Sequence, residues 1–284
     1  MEFKLSAFGD EISQKLGNQL KVLKKFNIDF IEIRSVEDVQ LLEYNTSIIK
    51  EFKKVLDDYN IKVSSLASPI GKISIRGDLK THLEKFKRAV EIAEYLNTKY
   101  IRIFSFYIDE GSTPGNYKNQ VIEELTKYTE YVKNSDIVLL HENEKHIFGD
   151  TLDRCLYIFQ NLKTDKLRAV FDPANFVQCN QHDLYKTYLK LKPYIEYFHI
   201  KDAVYLDGEV VPAGQGNGEL FNILNDLSKS NYNGFISLEP HLNNSLPGGG
   251  EENFQIAYDA LLNLISKIES NLVICQEQNE KKKK

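Results

Sequence analysis

Four carboxylate or imidazole side chains close four short apolar runs in the second half of this 284-residue chain: Glu142, Asp172, His199 and Glu239. They stand in Leu140-His141-Glu142-Asn143-Glu144, Phe171-Asp172-Pro173-Ala174-Asn175, Phe198-His199-Ile200-Lys201-Asp202 and Leu238-Glu239-Pro240-His241. Three hard oxygen donors and one imidazole suit a divalent cation. Successive positions are 30, 27 and 40 residues apart. Each gap has room for a strand, a helix and two loops. One ligand per consecutive strand end is how a βα barrel builds a site on its C-terminal rim.

Taken singly, each residue has a plainer reading. Glu142 would be a loop carboxylate, and Glu144 two residues on could serve in its place. Asp172 before Pro173 makes a good helix cap or turn starter. A histidine in a strand, like His199, is more often a hydrogen-bonded core residue than a ligand, and His141, facing the other way from Glu142, is read as one. Lys201 and Asp202 would be a surface ion pair. Glu239 would be one more rim carboxylate. Four such residues at successive strand ends are hard to assign to chance, and the shared metal site is the stronger expectation. Further rim candidates are Asp10, Glu11, Glu32, Arg34, Ser68 and Lys72. Arg34 could hold a substrate hydroxyl or carboxylate, or pair with Glu32 or Glu37. Asn175 could cap a helix or touch substrate.

The elements that must carry these residues alternate from end to end. Strands are expected over residues 3–8, 29–33, 61–66, 100–106, 136–141, 167–171, 195–200 and 234–238. Helices are expected over residues 13–26, 46–59 (capped by Thr46 or Ser47), 79–96, 118–133, 152–162, 182–191, 220–230 and 254–268. Continuous apolar strands suit a parallel sheet covered on both faces. Eight βα units argue for an α/β fold closed as a single-domain (β/α)8 TIM barrel over residues 1–270. Residues 271–284 read as a disordered, lysine-rich tail.

Composition narrows the function. At 42% hydrophobic the chain can bury a large core. No apolar run approaches the roughly 20 residues of a membrane span, and the N-terminus lacks a signal-peptide pattern. Cys155, Cys179 and Cys275 are few and not in CxxC spacing, so they read as reduced thiols of a cytoplasmic protein. The net charge is −5, or −9 without the four terminal lysines, which argues against a nucleic-acid partner. The segment Ala213-Gly214-Gln215-Gly216-Asn217-Gly218 is a flexible loop near the site rather than a nucleotide fingerprint. Residues 247–250 (Pro-Gly-Gly-Gly) read as a hinge, a lid or a plain loop.

The segments HEN, FDPANF, FHIKDA, GQGNGE and SLEPH, with FGDEIS, IEIRSV and SPIGKI earlier, resemble the xylose isomerase-like TIM-barrel superfamily. The resemblance spans Met1 to roughly Ile268. It implies one divalent metal ion (Mn²⁺, Mg²⁺, Co²⁺ or Zn²⁺) held by Glu142, Asp172, His199 and Glu239. In ketose 3-epimerase relatives the two glutamates double as acid and base, which here makes Glu142 and Glu239 the catalytic pair. Those relatives carry a histidine where this chain has Asn175, and their substrate arginine after the strand-seven histidine has no match before Gly218. The HIKD segment is more similar to the inosose dehydratase branch, where Lys201 would contact substrate. Arg34, Asn175, Lys201 and Asp202 are therefore the expected substrate-binding residues. The apurinic endonuclease branch needs extra histidines that strands three and four do not supply.

The expected chemistry is proton transfer on a small carbohydrate. A metal that binds a carbonyl and a neighbouring hydroxyl stabilises an enediolate, while carboxylates remove and return the α proton. Isomerisation or epimerisation of a sugar, sugar phosphate or keto-inositol is the first expectation. A lyase acting on a keto-inositol, an endonuclease-type phosphodiester hydrolase and a non-catalytic sugar binder are the alternatives. Such barrels often pair, so a homodimer is within expectation.

Overall fold

Every barrel strand is short and apolar on the face toward the helices, and every helix carries one apolar stripe that lies against it. In the computed structural model, which describes residues 3–230, 232–242 and 249–281 with side chains through Ser270, eight parallel strands close on themselves. They are β1 Lys4–Phe8, β2 Phe30–Ile33, β3 Lys62–Ala67, β4 Tyr100–Ile103, β5 Val138–Glu142, β6 Leu167–Phe171, β7 Ile195–Ile200 and β8 Phe235–Leu238. Each pairs with its sequence neighbour, and β1 pairs with β8 to complete the ring. The helices are α1 Leu16–Lys25, α2 Thr46–Asp58, α3 Leu79–Tyr95, α4 Lys118–Val132, α5 Leu152–Leu162, α6 Pro173–Gln178, α7 Leu184–Leu191, α8 Leu220–Ser228 and α9 Glu251–Lys281. This is a single-domain (β/α)8 TIM barrel.

The main core lies between strands and helices and runs right round the ring, from Ala7 and Ile31 to Leu238 and Leu261. A second, smaller apolar cluster of Tyr100, Leu140, Val170 and Tyr197 fills the barrel interior. Because strand side chains alternate, the interior residues run two apart toward the C-terminal rim. Leu140 is followed inward by Glu142, Val170 by Asp172, Tyr197 by His199 and Lys201, and Tyr100 by Arg102.

Several boundaries differ from the sequence expectation, each for a local reason. Strand β4 stops at Ile103 rather than residue 106, because the chain turns to pair with the loop after β3. There Phe104 N–H donates to Ile70 O at 2.8 Å and Tyr107 N–H to Ile73 O at 2.9 Å. Helix α2 is capped by Asn45, not by Thr46 or Ser47; Asn45 Oδ1 accepts from Ile48 N–H at 3.1 Å. Helix α7 starts at Leu184 rather than His182, because Asp183 takes a left-handed conformation at φ 55°. Helix α6 was not expected as a separate element. Helix α9 continues past residue 270, where the sequence reading ended the ordered domain. Of the 247–250 segment, Pro247 and Gly248 lie outside the described residues.

Candidate metal centre

Local sequence decides how each rim residue is presented. Glu142 is the last residue of β5 and points inward, with only 1% of its surface exposed. Asp172 ends β6 and begins α6: its Oδ1 accepts from Asn175 N–H at 2.9 Å, and Pro173 takes the first helical position. The cap reading of Asp172 holds on Oδ1, which leaves Oδ2 facing the cluster. Asn143 fixes the same corner, with Nδ2 on Asp172 O at 2.8 Å and Oδ1 on Asp172 N–H at 3.0 Å.

One ligand atom from each of Glu142, Asp172, His199 and Glu239 lies within 4.8 Å of all the others, and all four residues are buried. His199 Nδ1 faces Glu142 Oε1 at 3.4 Å, Asp172 Oδ2 at 3.6 Å and Glu239 Oε2 at 3.3 Å. Glu144 is not in this group. It pairs with Lys72 at 2.9 Å on the rim.

The cluster is rich in negative charge. Lys201, fully inside, lies 2.8 Å from Asp172 Oδ2 and 3.1 Å from Glu239 Oε2. Lys201 is therefore part of the centre and not half of a surface pair. Burial works against its charge, but Asp172 and Glu239 outweigh burial and raise its pKa well above the usual lysine range. Burial alone would raise the Glu142 carboxyl; His199 and Arg102 overcome it and bring it down to about 2. Glu239 is held well below the carboxylate range in the same way, by Lys201 and His241 against burial. His199 is pushed well above its ordinary value by Glu32 and Glu142, again against burial. Every shift says that this pocket demands positive charge.

A divalent cation fits that demand. Glu142 Oε2, Asp172 Oδ2 and His199 Nδ1 are buried and make no hydrogen bond among the described residues. Lys201 Nζ is near Asp172 Oδ2, yet the angle is not that of a hydrogen bond. Arg102 likewise answers Glu142 Oε2 by charge alone, at 3.2 Å. Buried polar atoms without a hydrogen bond are rare and expensive, and converging oxygens with one imidazole nitrogen are the donor set of a divalent metal.

The other expected residues divide. Asn175 donates from Nδ2 to Glu142 Oε1 at 2.9 Å, so it orients that carboxylate. Arg34 pairs with neither Glu32 nor Glu37. It holds Asp10 at 2.7 Å, Glu11 at 2.7 Å and Glu239 at 3.1 Å, and these carboxylates keep it charged against the cost of burial. Asp202 does not face the centre. Its two oxygens accept the N–H groups of Ala203, Gly214, Gly216 and Gly218 at 2.8–3.0 Å, so it anchors the glycine loop after β7. Van der Waals space explains the glycines: a Cβ at residue 216 would lie 2.4 Å from Asp202 Oδ1. His141 faces outward as expected, against Phe159 and Gly149, but neither ring nitrogen has a hydrogen-bond partner among the described residues.

Sequence reasoning missed three groups. Arg102 lies 3.2 Å from Glu142 Oε2. Its signal was there, a charge between Ile101 and Ile103 in an apolar strand. His241 Nε2 sits 3.1 Å from Glu239 Oε1. Phe8 packs under both arginines, 4.8 Å from Arg34 and 5.5 Å from Arg102, with its edge toward His199 at 5.2 Å. Nothing in an apolar strand residue announces that role.

The family model for the xylose isomerase-like TIM barrel matches residues 20–264. The chain belongs to that family. Among solved structures, the IolI protein with a bound zinc atom is 21% identical, with a TM-score of 0.73 over 94% of this chain and 99% of that one. The probable 3-DHS dehydratase AsbF of Bacillus anthracis, involved in petrobactin synthesis, is 16% identical, with a TM-score of 0.73 over 92% and 99%. A D-tagatose 3-epimerase-like protein is 18% identical, with a TM-score of 0.72 over 94% and 100%. At these identities the likeness is one of fold. A search of the curated proteins finds no match. No helix among the described residues is long and apolar enough to cross a membrane.

Proposed function

We propose that the protein is a metal-dependent isomerase or epimerase of a small carbohydrate. The observation that carries the reading is the pair of buried carboxylates, Glu142 and Glu239, facing one point between them. Each is steadied by its own arginine, Arg102 at 3.2 Å and Arg34 at 3.1 Å. Glu142, Asp172, His199 and Glu239 would hold one divalent ion, zinc and manganese being suited to the donor set. When bound, the ion would polarise a substrate carbonyl and lower the cost of removing the neighbouring proton.

The chain's own residues do the rest. One glutamate takes the α proton and the other returns it. Return to the opposite face of the same carbon inverts that centre; return to the adjacent carbon exchanges aldose and ketose. Asn175 fixes the rotamer of Glu142. His199 and Arg102 at Glu142, and Lys201 and His241 at Glu239, keep both carboxylates ionised.

Lys201 favours a second reading. A buried ammonium 2.8–3.1 Å from two of the four groups could protonate a departing β-hydroxyl, which makes the site a lyase for keto-inositols or similar compounds. One of the similar folds, the probable 3-DHS dehydratase AsbF, supports that reading. Either reading gives the protein a small carbohydrate as its partner, and the free thiols of Cys155 and Cys179 support the proposal that it works in the cytoplasm.

Solvent deuterium uptake tests the proposal. The Mn²⁺-loaded protein is incubated in D₂O with ketoses, aldoses and inososes, with and without chelator, and followed by NMR. Exchange into an isomerised or epimerised product, abolished by chelator, is the expected result. Exchange coupled to loss of water would establish the lyase reading instead. No exchange across the panel, with metal bound, would overturn both.

A further inference from the structure

Strand β2 contributes none of the four clustered groups, yet it sends a carboxylate to the same place. Glu32 is 0% exposed. Its Oε1 and Oε2 lie 3.4 and 3.3 Å from His199 Nε2, on the side of the ring away from the cluster. Oε2 makes no hydrogen bond among the described residues. A buried carboxylate is costly unless it answers a charge or a donor, and the His199 ring is the group that Glu32 meets. The ring plane is fixed from two sides, by the edges of Phe8 at 5.2 Å and Tyr197 at 6.0 Å. The imidazole therefore lies between one carboxylate at Nε2 and three at Nδ1.

A metal-bound imidazole is neutral and carries one N–H, and the hydrogen bond made by one nitrogen decides what the other presents. We infer that Glu32 is a positioning residue: it accepts the N–H of His199 Nε2 and so turns the Nδ1 lone pair into the centre of the cluster. The inference rests on the reading of the four groups as a metal centre. Carboxylates placed behind metal-bound histidines fix the ring and raise its basicity, and their loss typically costs 10–100-fold in affinity.

The test measures Mn²⁺ binding by the full chain, by calorimetry or from the EPR signal of free Mn²⁺, together with the visible spectrum of the Co²⁺ form. Glu32→Ala should weaken Mn²⁺ about 10–100-fold, and Glu32→Gln, which keeps an acceptor but loses the charge, by less. Glu32→Ala should shift the Co²⁺ bands because the imidazole is no longer held at one angle, and Glu32→Gln should shift them less, through the lower basicity of the ring. Asp10→Asn removes an equal charge that touches Arg34 and not His199. It should leave the Co²⁺ bands in place, which separates ring positioning from simple loss of negative charge. Should Glu32→Ala fail to fold, Glu32→Gln alone decides through its affinity and spectrum. Wild-type affinity and unshifted Co²⁺ bands in the folded variants would overturn the inference. Failure of the wild-type chain to bind Mn²⁺ would instead overturn the metal centre itself, and the role of Glu32 with it.

Discussion

The two ends of the barrel interior are built from the same alternation and could hardly be more different. At the N-terminal end the polar groups are neutral hydroxyls and largely answered, although Ser237 Oγ, in register with Ser6, makes no hydrogen bond among the described residues. Ser6 and Ser64 hydroxyls meet at 2.6 Å, Ser64 donates to Ile31 O at 3.0 Å and meets the Tyr197 hydroxyl at 2.9 Å, all beside the apolar Tyr100, Leu140 and Val170. At the C-terminal end, two residues further along the strands, carboxylates crowd one imidazole, and Glu32 Oε2, Glu142 Oε2, Asp172 Oδ2 and His199 Nδ1 are buried with no hydrogen bond among the described residues. One end is packed for stability; the other accepts like charges at close range, a cost that folding alone would not retain. Functional sites are where such local inconsistency is expected.

The sharpest way to break this contrast is to exchange the consequences of mutation at the two ends. Glu239→Gln should lower turnover by roughly 10²–10⁴-fold while the unfolding midpoint hardly moves, measured as exchange rate against circular dichroism. A large loss of stability with activity retained would make the rim structural. Leu140→Ala, in the packed interior cluster, should do the reverse and cost about 2–5 kcal/mol in denaturant unfolding.

Acid titration sharpens the contrast. Glu142 is brought down from 4.5 to about 2, so its contribution is present above its unfolded value and is lost only as pH falls toward 2. The weak points above that range lie elsewhere, at His141 on the outer face of β5, which burial lowers to about 4, and at His82 beside the loop after β3. Burial, with Lys85 adding to it, lowers His82 to about 4, and its Nε2 accepts Gly71 N–H at 2.7 Å. Here the folded pKa lies below the unfolded one, so the unfolded chain takes up the proton first. Stability should therefore fall from about pH 6.5 to about pH 4, by on the order of 3 kcal/mol at most. His82→Gln should reduce that slope in pH-dependent unfolding and His82→Gln with His141→Gln should flatten it, whereas a slope that survives both substitutions would place the acid sensitivity in the cluster.

Asp202 offers the smallest effect. It is as buried as its neighbour Lys201 but serves the loop, so Asp202→Ala should cost about 1–3 kcal/mol for the unpaired N–H groups. Hydrogen exchange at Gly214, Gly216 and Gly218 should quicken, with metal affinity unchanged. A matching loss of metal affinity would return Asp202 to the centre.

The barrel was legible in sequence because eight apolar runs alternate with eight amphipathic ones, and βα alternation leaves few other topologies. The four rim groups were legible because each ends its run in a carboxylate or imidazole, a pattern local to five residues. What escaped was non-local or too short for periodicity. Helix α6 has six residues and opens on Pro173, so it reads as a turn. Arg102 meets Glu142 across neighbouring strands, and only the register of β4 against β5 brings them together. Asp202 misled because adjacency to Lys201 suggested a shared role, while the backbone beyond β7 turns its carboxylate toward the glycine loop. Glu32 was noted only as a rim residue; its place behind His199 depends on barrel closure.

The central claim is that the charged end of the barrel holds one divalent ion. The most direct test is a crystal grown with Mn²⁺, with anomalous scattering recorded at the manganese edge. One peak is predicted, within about 2.0–2.2 Å of carboxylate oxygens and of His199 Nδ1, shared by Glu142, Asp172, His199 and Glu239. A peak on Glu144 and Lys72 instead, or none between the four residues at saturating Mn²⁺, would contradict the account.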